Sequence, residues 1–169
     1  VGALVGTAIR THIENVSSSG KVVGVFSVGG LVGYMTESPV TLLKSHSSAD
    51  VSGTDDIGGL VGRLAHSAIR ESYATGDIIG GYNVGGLVGQ SLKSTIENSY
   101  ATGNIDGTSE IGGLVGILSD GKIENSYATG NIDGTSEIGG LVGRLSDGKI
   151  ENSYATGEVP IGSSNAGLI

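Results

Sequence analysis

The phrase Gly-Gly-Leu-Val-Gly stands unchanged at 29–33, 58–62, 85–89, 112–116 and 139–143, and it constrains this chain more than any other feature. A degenerate copy opens the sequence (Gly2-Ala3-Leu4-Val5-Gly6) and another closes it (Ala166-Gly167-Leu168-Ile169). The central leucines, Leu4, Leu31, Leu60, Leu87, Leu114, Leu141 and Leu168, are spaced by 27, 29, 27, 27, 27 and 27 residues. A fixed period of that size marks a repeat architecture, in which a unit covers its apolar side only by stacking on its neighbours.

Within one period the apolar positions show no 3.6-residue spacing over ten or more residues, which argues against helix. Three short extended segments are expected instead, at 114–118, 123–129 and 131–138. Turn-forming stretches separate or interrupt them: Ser119-Asp120-Gly121-Lys122, Thr129-Gly130-Asn131 and Asp133-Gly134-Thr135-Ser136. The expected fold is all-β, a parallel β-solenoid of about six coils of 27 residues with three short strands per coil. It forms one domain over 1–169, most regular over 69–157 and divergent in its first two coils. There 22–27 lacks the Asp-Gly turn, and Ser38-Pro39-Val40 falls where two extra residues loop out.

Aligning the repeats gives columns. Ile13, Leu42, Ile69, Ile96, Ile123 and Ile150 form one aliphatic column, and Val22, Val51, Ile78, Ile105, Ile132 and Val159 a second. Val28, Ile57, Val84, Ile111 and Ile138 form a third, beside the leucines. These four columns are the expected core. The paired glycines either turn the backbone or let coils approach closely. Tyr73, Tyr100, Tyr127 and Tyr154 form a further column, continued by His46 and Ser17, and a hydroxyl column follows at Ser19, Ser48, Thr75, Thr102, Thr129 and Thr156. The adjacent Ser and Ala columns are small and read as inward, so Tyr and Thr share an outward face. Strict alternation from the Ile column would place Tyr inside, so this reading requires a corner near Asn98 and its equivalents.

Composition narrows the function. Of 169 residues 32 are Gly, yet 37% are hydrophobic, which separates the chain from disordered Gly-rich linkers. With 2 Pro and no Gly at every third position it is not collagen. The net charge of −8 argues against nucleic acid as a partner. No apolar run approaches the roughly 20 residues of a membrane-spanning helix, so membrane insertion is not expected. Cysteine is absent, which removes disulfides and thiol chemistry. The only Met is Met35, so the chain reads as a processed product or an excised piece.

The Gly-Leu-Val-Gly marker, preceded by Gly and accompanied by Asn-Ser-Tyr-Ala-Thr-Gly, resembles the GLUG repeat of microbial surface and secreted proteins. The resemblance covers essentially the whole chain and is strongest over 69–157. Proteins with such repeats include large adhesin-like proteins and secreted immunoglobulin A peptidases, whose repeats lie outside the catalytic domain. The resemblance implies an extracellular or cell-surface binding or spacer region, and no activity.

Chemistry is weighed against that expectation. An enzyme site is unique, whereas the acids here recur as ladders (Glu97, Glu124, Glu151), so no catalytic residues and no cofactor are assigned. Asp55-Asp56, the one adjacent acidic pair beside the repeating pattern, reads as a turn. Asp106, Glu110, Asp133 and Glu137 read as exposed acidic turns, and His12, His46 and His66 occupy different phases, so no metal site is expected. Ice binding would need paired Thr columns, and only one hydroxyl column is clear. The expected function is a structural or adhesive stalk or spacer of a microbial surface protein. The rivals are a filament subunit that pairs head to tail with other copies through open ends, and a module that binds a surface glycan. Its ligand face would be Tyr73, Tyr100, Tyr127 and Tyr154 with Thr75, Thr102, Thr129 and Thr156.

Overall fold

A computed structural model describes residues 1–160; the closing copy of the marker, with Leu168, lies outside the described residues. The first coil runs through β1 (Val5–Ile9), β2 (His12–Glu14), β3 (Ser17–Ser18), β4 (Lys21–Val23) and β5 (Phe26–Gly29). The second begins at β6 (Val32–Thr36), which pairs in parallel with β1. Each strand stacks on its counterpart one coil away, so the described residues build five parallel sheets, three of six strands and two of five. The expected parallel β-solenoid is the fold.

Each of the first five coils carries five strands because two of the three expected segments are split. The 123–129 segment breaks into Lys122–Glu124 and Tyr127–Ala128, and 131–138 into Ile132–Asp133 and Ser136–Gly139. Three columns of non-glycine residues take left-handed backbone, represented by Asp120 (φ 50°), Asn125 (φ 49°) and Glu110 (φ 51°). Such a conformation costs on the order of 1–2 kcal/mol for an L-residue, less for Asn and Asp. In the Asp120-Gly121 corner the left-handed residue is therefore the aspartate, whose short side chain tolerates it. The pair Asp55-Asp56, expected as a turn, instead opens the strand Asp55–Gly58, with Asp56 at φ 54°.

Register holds at 27 residues wherever the repeats are regular, as in Val88 with Val115 and Ile96 with Ile123. Between the first two coils it changes within one loop: Ile9 pairs with Thr36, but Ile13 pairs with Leu42. The two extra residues are Ser38 and Pro39, which leave the stack, whereas Val40 is buried in the core and its carbonyl accepts the Ala68 amide at 2.9 Å.

All four expected core columns are buried along the middle of the stack, and they divide into two separate clusters. Leu31, Leu60, Leu87 and Leu114 pack with Leu42, Ile69, Ile96 and Ile123 in one. Val51, Ile78 and Ile105 pack with Ile57, Val84 and Ile111 in the other. A waist separates them. A Cβ on Gly86 would stand 2.8 Å from the Ala101 methyl, and one on Gly113 would stand 2.9 Å from that of Ala128. It would also collide with the carbonyl of the equivalent glycine one coil on. The Gly-Gly of one motif and the Ala of the other are two sides of the same narrow contact. None of the glycines in the repeated marker has positive φ, so their role is close approach rather than turning.

Buried serines close the backbone account. Ser72, Ser99 and Ser126 each donate from Oγ to the carbonyl two residues earlier, at 2.7–2.8 Å. Each Oγ also accepts the amide of the serine one coil before, as Ser99 does from Ser72 at 3.2 Å. A buried amide left without a partner costs about 1–3 kcal/mol, so this column holds its polar atoms at no loss. On the outside, Asn104 and Asn131 repeat the device at a corner: the Asn131 amide donates to Asn104 Oδ1 at 3.1 Å.

The waist predicts a contrast between two identical substitutions. Gly86→Ala should destabilise by about 1–3 kcal/mol through overpacking, whereas a Cβ on Gly6 meets nothing within 4 Å. Gly6→Ala should stay within about 0.5 kcal/mol of the parent. Urea unfolding of both checks this; equal effects would mean the waist is not the constraint.

Candidate functional site

The outward face of interest rests on strands of only two residues, Tyr73–Ala74, Tyr100–Ala101, Tyr127–Ala128 and Tyr154–Ala155. Alternation from the buried Ile96 would aim Tyr100 inward. The left-handed corner at Asn98 (φ 50°) resets the phase, so Ser99 and Ala101 are buried while Tyr100 and Thr102 face out. The same happens at Glu71, Asn125 and Asn152. The corner required near Asn98 is present in every coil that carries a tyrosine at this position.

The rings form one continuous stack. Centroids of His46, Tyr73, Tyr100, Tyr127 and Tyr154 follow at 4.7, 4.8, 4.9 and 5.2 Å, with planes within 6° of parallel. This spacing is that of neighbouring strands, so the sheet sets the stack. The consequence for binding is direct: each inner ring has a neighbour on both faces. A sugar needs a free ring face to stack on, and Tyr73, Tyr100 and Tyr127 present only edges and hydroxyls. Tyr154, 53% exposed, has one neighbour. Burial, then the adjacent Tyr73 and Tyr127, push the Tyr100 hydroxyl above its usual range. Its proton is held more tightly in the folded state, so its stabilising contribution is complete below about pH 10 and fades as pH rises through the folded value.

Beside the rings, Thr75, Thr102, Thr129 and Thr156 are all exposed, as is Ser48 before them. The structure therefore brings all eight candidate residues onto one face, as a row of ring edges beside a row of hydroxyls.

The acidic ladders have their own partners. The Lys122 amine lies 2.6 Å from Glu124 and 2.7 Å from Glu151, and Lys149 lies 2.6 Å from Glu151. Bonds from Lys122 and then Lys149 draw the Glu151 carboxyl down to about 2. A depressed carboxyl stabilises above its ordinary value near 4.5 and loses that contribution as pH falls towards about 2; in so exposed a pair the effect is small. Asp55 and Asp56 both accept from Asn83 Nδ2, at 2.8 and 2.9 Å. Among the described residues no group of three or more His, Cys, Asp or Glu is placed to hold a metal ion. His46 caps the tyrosine stack, a role that the scattered phases of the histidines did not reveal.

Four consecutive segments, 53–79, 80–106, 107–133 and 134–159, match the family described as the GLUG motif. No curated protein is a significant match. Among solved structures the chain is similar to one titled "IgA1 Protease", at 22% identity and a TM-score of 0.67. The similarity covers 92% of this chain and only 15% of that one, and it concerns the fold.

If the ring stack is structural, its two contributions separate cleanly by substitution. Tyr100→Phe keeps the ring and should leave stability within about 0.5 kcal/mol. Tyr100→Ala removes two stacking contacts, each worth about 0.5–1.5 kcal/mol beyond area burial, and should cost about 1–3 kcal/mol. Thermal unfolding followed by circular dichroism distinguishes them; an alanine variant as stable as the parent would make the stack ornamental.

Proposed function

The chain belongs to the GLUG-motif family, and on that premise we propose that it is a stalk or spacer, with adhesive capacity, in an extracellular microbial surface protein. One observation carries the reading: through the regular coils the same contacts recur at a 27-residue register, with two aliphatic clusters running on either side of a shared waist. Such a stack transmits rigidity along its axis and repeats its outward side chains about every 4.8 Å. Among the described residues the acids recur as ladders rather than converging in one place, which supports a non-enzymatic role. The printed name of the structural neighbour describes a protease of which this chain matches a small portion, so the family's repeat, and not proteolysis, is what we carry over. The Tyr and Thr rows would then act as a displayed hydroxyl surface, since the ring faces are occupied.

The reading places the segment outside the cell. Antibodies raised against the chain should label intact, unpermeabilised cells of the source organism, and brief protease treatment of those cells should remove the signal. Labelling that appears only after permeabilisation would overturn it.

A further inference from the structure

Where every coil repeats its neighbour, a specific site is found where the repeat is broken, and four breaks meet in one groove. The two inserted residues place Ser38 and Pro39 beside the corner that follows the longest strand of each coil. The left-handed residue of that corner is Asp120 and Asp147 in the later coils, but His66 and Lys93 in the two coils that follow the insertion. Four residues beyond His66, Arg70 stands in the column that carries Glu97, Glu124 and Glu151 in the following coils. Together they border an open groove of about 360 Å³ with Ser38, Pro39 and Thr41.

Three of these changes put a cation or an imidazole where the repeat has a carboxylate, in a chain whose net charge is −8. The partners differ too. Arg10 is paired with Glu37, Arg70 with Glu97, and Lys122 with two glutamates. Among the described residues His66 and Lys93 have no ion-pair partner, and both are exposed. They lie on adjacent coils, about 4.8 Å apart along the axis. The groove thus offers the unpaired ammonium of Lys93 and the exposed imidazole of His66 at its rim, hydroxyls at Ser38 and Thr41, and the apolar ring of Pro39.

We infer that this groove binds an acidic polysaccharide, with uronate carboxylates meeting Lys93 and His66 and a sugar ring resting against Pro39. A nucleic acid fits less well, because its dense phosphate charge needs clustered Lys and Arg, which a chain of net charge −8 does not offer. The site lies on a different sheet corner from the tyrosine row and is independent of it.

The test uses the whole chain and short oligogalacturonate, with dextran as the neutral probe and duplex DNA as the competing polyanion, followed by titration calorimetry. The informative variant is His66→Asp with Lys93→Asp, which restores the residue that later coils carry and so preserves the fold. It should weaken oligogalacturonate binding at least tenfold, and added salt should weaken the parent's binding as well. Arg144→Gln, removing an exposed cation on another face, should leave binding unchanged. Absence of binding by the parent, equal binding by the double variant, equal loss in Arg144→Gln, or preference for dextran or DNA would each overturn the assignment.

Discussion

The cross-section of this solenoid depends on how closely two stretches of backbone approach at its waist. Where Gly86 faces Ala101 there is no room for one more methyl group, and the same holds at Gly113 and Ala128. The contact fixes the distance between the leucine corner and the tyrosine strand, and so divides the interior into two slender columns rather than one wide core. Slender columns suit β-branched and leucine side chains stacked in register, which is what Leu87, Ile96, Val84 and Ile105 provide. A bulkier residue at the waist would push apart sheets whose ladders run through every coil, so its cost would spread beyond its own position.

Curvature comes from elsewhere. The chain turns at Asp120, Asn125 and Glu110 and their equivalents, all in left-handed conformation, while the repeated glycines keep ordinary backbone. A left-handed lysine or glutamate would be unfavourable in isolation. Here each lies in or beside strands whose amides and carbonyls are bonded to neighbouring coils, and the Ser72, Ser99 and Ser126 hydroxyls accept further buried amides. The ladders hold the corners, and the corners aim the ladders. Neither is stable without the other, which is why repeats of this kind need neighbours.

Legibility in the sequence followed the same division. The period, the four aliphatic columns and the parallel stacking could be read because burial leaves its mark as identity at one position per coil. The interruption at Asp133-Gly134-Thr135-Ser136 could be read too, but the split of the 123–129 segment could not, since Lys44, Glu71 and Asn98 share a backbone conformation without sharing chemistry. The outward aim of Tyr100 was legible only by elimination, through the small residues on either side of it. That the ring faces are covered was not legible at all: column periodicity places the rings one strand apart, but it does not set their planes parallel.

This last point changes what repetition means for binding. A column of aromatic residues in a sequence suggests a surface on which planar ligands stack, yet stacking the coils stacks the rings on each other first. The more regular the repeat, the more completely its side chains satisfy one another, as Lys122 does with Glu124 and Glu151. Free chemistry survives where a column changes character, because the neighbour that would have neutralised it is missing. Regularity therefore makes the stack, and a break in it leaves side chains without a repeating partner. The coils nearest the insertion, with His66 and Lys93 unpaired, carry more specific information than the near-identical coils that dominate the sequence.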